Sequence, residues 1–150
     1  MRTTGLLVLP HDLASATVAR RHVTAMLHRQ GISPDRCDDA ALIVSELVGN
    51  ALRHGRPRPD GTLRVRWSLD GHRLRVEVTD GGGSSRPELR PAAQLRMAVS
   101  GRGLAIIDAL AEAWGSHRDD DGTTTVWVML AAPPASLRGL PDYGELESTG

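Results

Sequence analysis

Glu46, Asn50 and Arg53 stand at i, i+4 and i+7 within Ser-Glu-Leu-Val-Gly-Asn-Ala-Leu-Arg-His (45–54). On a helix that spacing sets a carboxylate, a carboxamide and a guanidinium on one stripe, and Asp39 extends the stripe backwards. The apolar residues Ala40, Ile43, Val44, Leu47, Val48, Ala51 and Leu52 recur at helical spacing beside it and need a core. A helix with only a wet face to fill would carry salt-tolerant charges of any kind. An Asn between Glu and Arg, next to an apolar run, fits a lined site. A solvated stripe on an amphipathic helix is the ordinary alternative.

Three further signals lie downstream. Asp80 keeps the parity of Leu74, Val76 and Val78, so a strand there aims a carboxylate at the core side. That is costly unless something donates hydrogen bonds to it, as a flat amino-bearing ligand such as adenine would with the help of water. Gly81-Gly82-Gly83 follow at once and let backbone approach a ligand without a Cβ in the way, although Asp-Gly is also an ordinary strand ending. Gly101-Arg102-Gly103-Leu104 opens a predicted helix whose free N–H groups and positive dipole end suit phosphate. It is not a dinucleotide fingerprint, because Ile106 occupies the third glycine position and no strand leads directly into it. Thr124 shares a strand face with Val126, Val128 and Leu130, where its hydroxyl could bridge Asp80, water and a base. Thr is also a common strand former.

The elements that must position these residues follow from pattern and punctuation. A strand over 3–9 stops at Pro10. Asp12 is a candidate N-cap for a helix over 13–30 ending at Gly31, and Ser33-Pro34-Asp35 opens the helix carrying the stripe, which ends at His54-Gly55. Strands over 62–70 and 72–80 are joined by Asp70-Gly71, a hairpin signal. A helix from Gly103 buries Leu104, Ile107, Leu110 and Ala111 and is expected to close at Trp114-Gly115, followed by short strands over 115–119 and 123–131. This order predicts an α+β two-layer sandwich, helices on one face of a mainly antiparallel mixed sheet. The predicted domain covers 1–132, and 133–150, rich in Pro, Gly, Ser and acids, is expected to be a disordered tail.

Composition bounds the function. The 150 residues suffice for one core, the formal net charge is zero, and all 18 basic residues are Arg. Without Lys there is no Walker P-loop, kinase-type lysine or Schiff base. Neutrality gives no nucleic-acid or acidic-lipid footprint. The lone Cys37 forms no internal disulfide and has no metal-ligand partner at a suitable spacing. With no signal segment and no apolar run of ~20 residues, a soluble cytoplasmic protein is expected.

Taken in order, these signals resemble the Bergerat (GHKL) ATP-binding fold of gyrase-type topoisomerases, heat-shock chaperones, mismatch-repair ATPases and histidine kinases. Glu46-Leu-Val-Gly-Asn50-Ala-Leu-Arg-His54 looks like its N-box, Asp80-Gly81-Gly82 like its adenine box, and Gly101-Arg102-Gly103-Leu104 like its second glycine box. The likeness covers 6–131. Within the superfamily the chain is most similar to the small stand-alone anti-sigma-factor serine/threonine kinases and related actinobacterial regulators. Within these 150 residues one predicted helix precedes the N-box, where a histidine kinase has a dimerisation pair, and a topoisomerase or chaperone has a second domain, so the stand-alone branch is the expectation.

The resemblance implies ATP and Mg²⁺ as cofactors. Asp80 would accept the adenine amino group, with Thr124 sharing a water and Gly82 in the same box; Asn50 would be the Mg²⁺ ligand. Gly101, Gly103 and Leu104 would surround the phosphates, with Arg102 and Arg53 as charge partners. Glu46 would be the catalytic base toward a Ser or Thr hydroxyl. Implied partners are a sigma factor and a STAS-type anti-sigma-factor antagonist; homodimerisation through the outer face of the sheet is also compatible with the likeness, and neither nucleic acid nor membrane is expected.

Two positions depart from the pattern. Ser84 stands where a second adenine-box Gly is usual, after an extra Gly83, which bears on the start of the ATP lid. Gly49 replaces a larger polar or small hydroxyl residue and costs the helix roughly 1 kcal/mol relative to Ala. His54 is read as a helix-end residue, and His11, His22, His28, His72 and His117 as surface residues. Arg20, Arg21 and Arg29 are read as a solvated helix face, with partner docking as the lesser alternative. Two other functional classes remain open: a nucleotide-dependent binding module without kinase chemistry, and an interaction domain that binds no nucleotide.

Overall fold

The computed structural model describes residues 2–83 and 103–135. They form strands β1 (Arg2–Pro10), β2 (Thr62–Asp70), β3 (Arg73–Asp80), β4 (Ala113–Arg118) and β5 (Thr124–Ala131), with helices α1 (Ala14–Arg29), α2 (Pro34–His54) and α3 (Gly103–Leu110). Alternation decides which face of the sheet is covered. Leu63, Val65, Trp67 and Leu69 of β2 and Leu74, Val76 and Val78 of β3 are buried, as are Val128 and Leu130 of β5. They pack against Ala19, Val23 and Leu27 of α1 and Ile43, Val44, Leu47 and Val48 of α2 in one hydrophobic cluster. Each large side chain removed from water there contributes ~1.5–3 kcal/mol.

The strand order is β1-β2-β3-β5-β4, and every described pairing is antiparallel. The register matters most at one end, where Asp80 of β3 lies directly opposite Thr124 of β5. In β1 the pairing sets Gly5 opposite Trp67, whose indole lies where a Cβ on Gly5 would be. On the other face of the sheet the Arg75 guanidinium sits 4.6 Å from the centre of the Trp127 ring.

Local chemistry explains most boundaries. Asp12 Oδ1 accepts from the Ala14 N–H at 2.6 Å and Ser15 Oγ donates to the Pro10 carbonyl at 2.5 Å, which fixes the entry to α1. Gly31 adopts φ +73° after α1, as a helix stop requires. α2 begins with Ser33 at the N-cap and Pro34 in its first turn.

Two expectations change. α3 ends at Leu110, and Trp114 belongs to β4 opposite Val128, so Trp114-Gly115 does not close the helix. The reason is tertiary: the Glu112 N–H already donates to the Met129 carbonyl at 2.8 Å, and the edge of β5 outweighs the helical propensity of the Ala-rich run. The chain beyond 132 also stays attached for three residues. The Ser33 N–H donates to the Pro133 carbonyl at 3.2 Å, and the Ala135 N–H to the Gly31 carbonyl at 2.7 Å. Residues 136–150 of the expected tail lie outside the described residues. No helix among the described residues is long and apolar enough to cross a membrane.

Candidate functional site

The last turn of α2 faces the end of β3 because two stretches of irregular backbone are stitched together. The Arg56 N–H donates to the Gly82 carbonyl at 2.7 Å, and the Gly81 N–H donates to the Arg56 carbonyl at 2.7 Å. Only glycines allow this approach. A Cβ on Gly81 would fall on the Pro57 carbonyl, one on Gly83 would lie 2.6 Å from the His54 carbonyl oxygen, and Gly82 has φ +87°.

Asp80 sits at the centre of this junction, 8% exposed. Its Oδ1 accepts from the Gly82 N–H at 2.7 Å, an Asx turn that fixes the carboxylate. Its Oδ2 lies against Gly55, where a Cβ would overlap it. Burial pushes the Asp80 carboxyl up to about 6, a rise held back by the Gly82 N–H and by the charge of His11. Near neutrality this is an ionised, poorly hydrated acceptor.

Around it, Asn50, His54, Gly55, Asp80, Gly83, Thr124 and Val126 line one pocket. Two of its polar atoms, Asn50 Oδ1 and Thr124 Oγ1, are buried without a hydrogen-bond partner among the described residues. Each such orphan costs about 1–3 kcal/mol if left unpaired, so both atoms call for a partner from outside the described residues, a water or a ligand group. Thr124, opposite Asp80 on the neighbouring strand, has its Cβ roughly 5 Å away, within reach of a shared water or ligand group.

Of the residues singled out in sequence, Asn50, Asp80 and Thr124 thus come together, with Gly82 in the adjoining turn. Glu46 is half-buried one turn before Asn50 on the same stripe. Arg53 is exposed, its guanidinium laid over Gly49. Asp39 is held by Arg36 at 3.2 Å, three turns before Asn50, and does not line the pocket. Gly103 opens α3, which packs on α2 with Ile107 in the core; Leu104 lies in its first turn. Gly101 and Arg102 lie outside the described residues.

Three residues were missed in sequence. Gly55 was read only as the end of a helix, and it is the space into which the Asp80 carboxylate fits. His54 was read as a helix-end residue and lines the pocket. His11 was read as a surface residue, but its Nε2 donates to the Ala51 carbonyl in the last turn of α2 at 3.2 Å. His11 follows β1, and no local signal connects it to a residue 40 positions later. The His54-Gly55 pair could have been found by extending the helical stripe one turn, since position 54 lies four after Asn50.

The family model of the histidine kinase-like ATPase domain matches residues 9–129. The chain belongs to that family. Among curated relatives it is similar to the serine-protein kinase RsbW of Listeria innocua, 27% identical over 115 residues, covering 69% of this chain and 73% of the relative. The same identity and coverage hold for the serine-protein kinase RsbW of Listeria monocytogenes. Among solved structures it is similar to a Mycobacterium tuberculosis protein crystallised as its RsbU and RsbW domains, with a TM-score of 0.65 over 88% of this chain at 22% identity. That likeness concerns the fold. The chain spans 33% of that solved chain.

Proposed function

We propose that this member of the histidine kinase-like ATPase family is an ATP- and Mg²⁺-dependent regulator. In this reading it phosphorylates an anti-sigma-factor antagonist of the STAS type on Ser or Thr, and alternately sequesters a sigma factor in the cytoplasm. The observation that carries the reading is the pair of orphaned polar atoms, Asn50 Oδ1 and Thr124 Oγ1, facing one pocket with the buried Asp80 carboxylate. The donor set fits the groups the family name implies. Asp80 is an acceptor for an exocyclic amino group, Thr124 Oγ1 can share a water with it, and a neutral amide oxygen suits a Mg²⁺ whose remaining ligands are phosphates and water. The RsbW relatives, named serine-protein kinases, support the choice of a hydroxyl acceptor.

In this reading ATP supplies the transferred phosphoryl group and Mg²⁺ neutralises its charge. The chain's own part is positioning and electrostatics. Asp80, fixed by the Gly82 N–H, orients the base; Asn50 holds the metal one turn before His54; Gly82 lets the backbone pass close by. Glu46, one turn further back along α2, takes the proton of the incoming hydroxyl as general base. Gly101, Arg102, Gly103 and Leu104 bear on the phosphates, and Arg53 is a cation for them.

Incubation of the full chain with labelled Mg-ATP and a STAS-type antagonist tests the reading. Transfer to an antagonist hydroxyl, abolished by Glu46→Ala, is expected. Tight ATP binding with no transfer to any such antagonist would favour a nucleotide-dependent partner switch without kinase chemistry.

A further inference from the structure

Gly49 lies in the middle of the 21-residue helix α2, half-buried and outside the hydrophobic core. Glycine is the poorest helix former after proline, so its presence there needs a reason that core packing does not supply. The reason is visible one turn later. A Cβ built on Gly49 would come 2.9 Å from Arg53 Nη1 and 3.5 Å from both Cζ and Nη2. The guanidinium therefore lies along the bare backbone of residue 49, folded back toward the start of α2 as helical side chains lean. Among the described residues it makes no ion pair, although Glu46 is three residues from its seat.

The position of this cation along the helix matters. His54 and Gly55 sit beside Asp80 at the C-terminal end of α2, and Asn50 is one turn back. The level of residue 49 is about one turn, ~5 Å, N-terminal of Arg53's own Cα, on the side of Glu46. A ligand with its base at Asp80 and its phosphates running past Asn50 would bring its last phosphate toward that level.

Resting on the nucleotide reading above, we propose that Gly49 is a positioning residue that seats the Arg53 guanidinium between Glu46 and Asn50, where it meets the terminal phosphate and makes the site prefer a nucleoside triphosphate over a diphosphate. The free guanidinium and the missing Cβ are one device. A branched side chain at 49 would compete with the guanidinium for this seat without altering its charge, whereas a lone Cβ asks the flexible head group for only a small shift.

Titration calorimetry of the full chain with Mg-ATP and with Mg-ADP tests it in wild type, Gly49→Thr, Arg53→Gln and the double variant. Arg53→Gln should weaken ATP roughly tenfold or more while ADP stays within about threefold, as loss of one charge-assisted contact requires. Gly49→Thr should shift the ATP:ADP ratio in the same direction. The double variant should be no worse than Arg53→Gln, because the two residues act as a unit. Gly49→Ala, whose lone Cβ the guanidinium can clear by a small shift, should melt no lower than wild type and change the ratio less than Gly49→Thr, which separates seating from helix propensity. An unchanged ratio in Gly49→Thr, or equal weakening of both nucleotides by Arg53→Gln, would overturn the proposal and leave the nucleotide site standing. A wild-type chain that binds neither nucleotide would overturn both.

Discussion

Gly55 and Asp80 share a single space: the carboxylate Oδ2 occupies the volume that any side chain on residue 55 would need. A Cβ there would also lie 2.8 Å from the Ala51 carbonyl oxygen, and the backbone has nowhere to go, because Arg56 is bound to both Gly81 and Gly82. Gly55→Ala must therefore turn the carboxylate out of the pocket or part the two segments. Nucleotide affinity should fall about tenfold or more, with a stability loss of about 1–3 kcal/mol from overpacking. Calorimetric titration and urea unfolding measure the two effects separately.

Replacing the Asp80 carboxylate should act oppositely on stability and on binding. Its folded pKa of about 6 lies above the ordinary 3.8, so the fold holds this proton more tightly than the unfolded chain does. The stabilisation from that proton is complete below the unfolded value and lost as pH rises through about 6. At pH 8 the ionised, buried carboxylate costs the ligand-free fold up to about 3 kcal/mol. Asp80→Asn should therefore be more stable than wild type at pH 8, by about 1–3 kcal/mol, with the difference shrinking toward pH 4. Urea unfolding at both pH values measures this, and the same variant should bind nucleotide poorly.

Binding should carry the same titration. An ionised Asp80 is the better acceptor for an amino group, so nucleotide affinity should be flat above about pH 7 and decline as pH falls through about 6. His11 holds the Asp80 pKa down. His11→Ala should move the midpoint of the decline to higher pH, which a series of titrations between pH 5 and pH 8 would register.

In the proposed reading Glu46 serves the chemistry and not the holding of the base, since it is one turn from Asn50 and outside the lining of the pocket. Glu46→Ala should lower phosphoryl transfer by about 10²–10⁴, the usual range for a general base, and leave ATP affinity within about threefold. Single-turnover transfer and equilibrium binding on the same preparation separate the two.

Much of this was legible in sequence because it depends on period and parity. The i, i+4 relation fixes Asn50 relative to Glu46, and strand parity aims Asp80 and Thr124 inward. The Asp70-Gly71 turn fixes the β2–β3 hairpin that presents Asp80. What could not be read is contact between segments far apart in the chain. The fit of Gly55 against Asp80 spans 25 residues, and the reach of His11 to Ala51 spans 40. Neither leaves a periodic trace. The boundary at Leu110 was misplaced for a related reason: Ala109–Ala113 favours helix locally, and only the unpaired edge of β5, met 11 residues later, draws Ala113 and Trp114 into a strand. Gly49 was legible as an anomaly in the helix, and its proximity to the Arg53 head group was not.

Thermal unfolding with and without Mg-ATP, on wild type and Asp80→Asn together, tests the nucleotide site most directly. At about 100 times its Kd, a ligand that binds only the folded state adds about 2.7 kcal/mol. For a chain of this size that raises Tm by roughly 5–11 °C. Wild type should show that rise and Asp80→Asn should show little of it. No shift in wild type at millimolar Mg-ATP, or an equal shift in the variant, would contradict a nucleotide site built on Asp80.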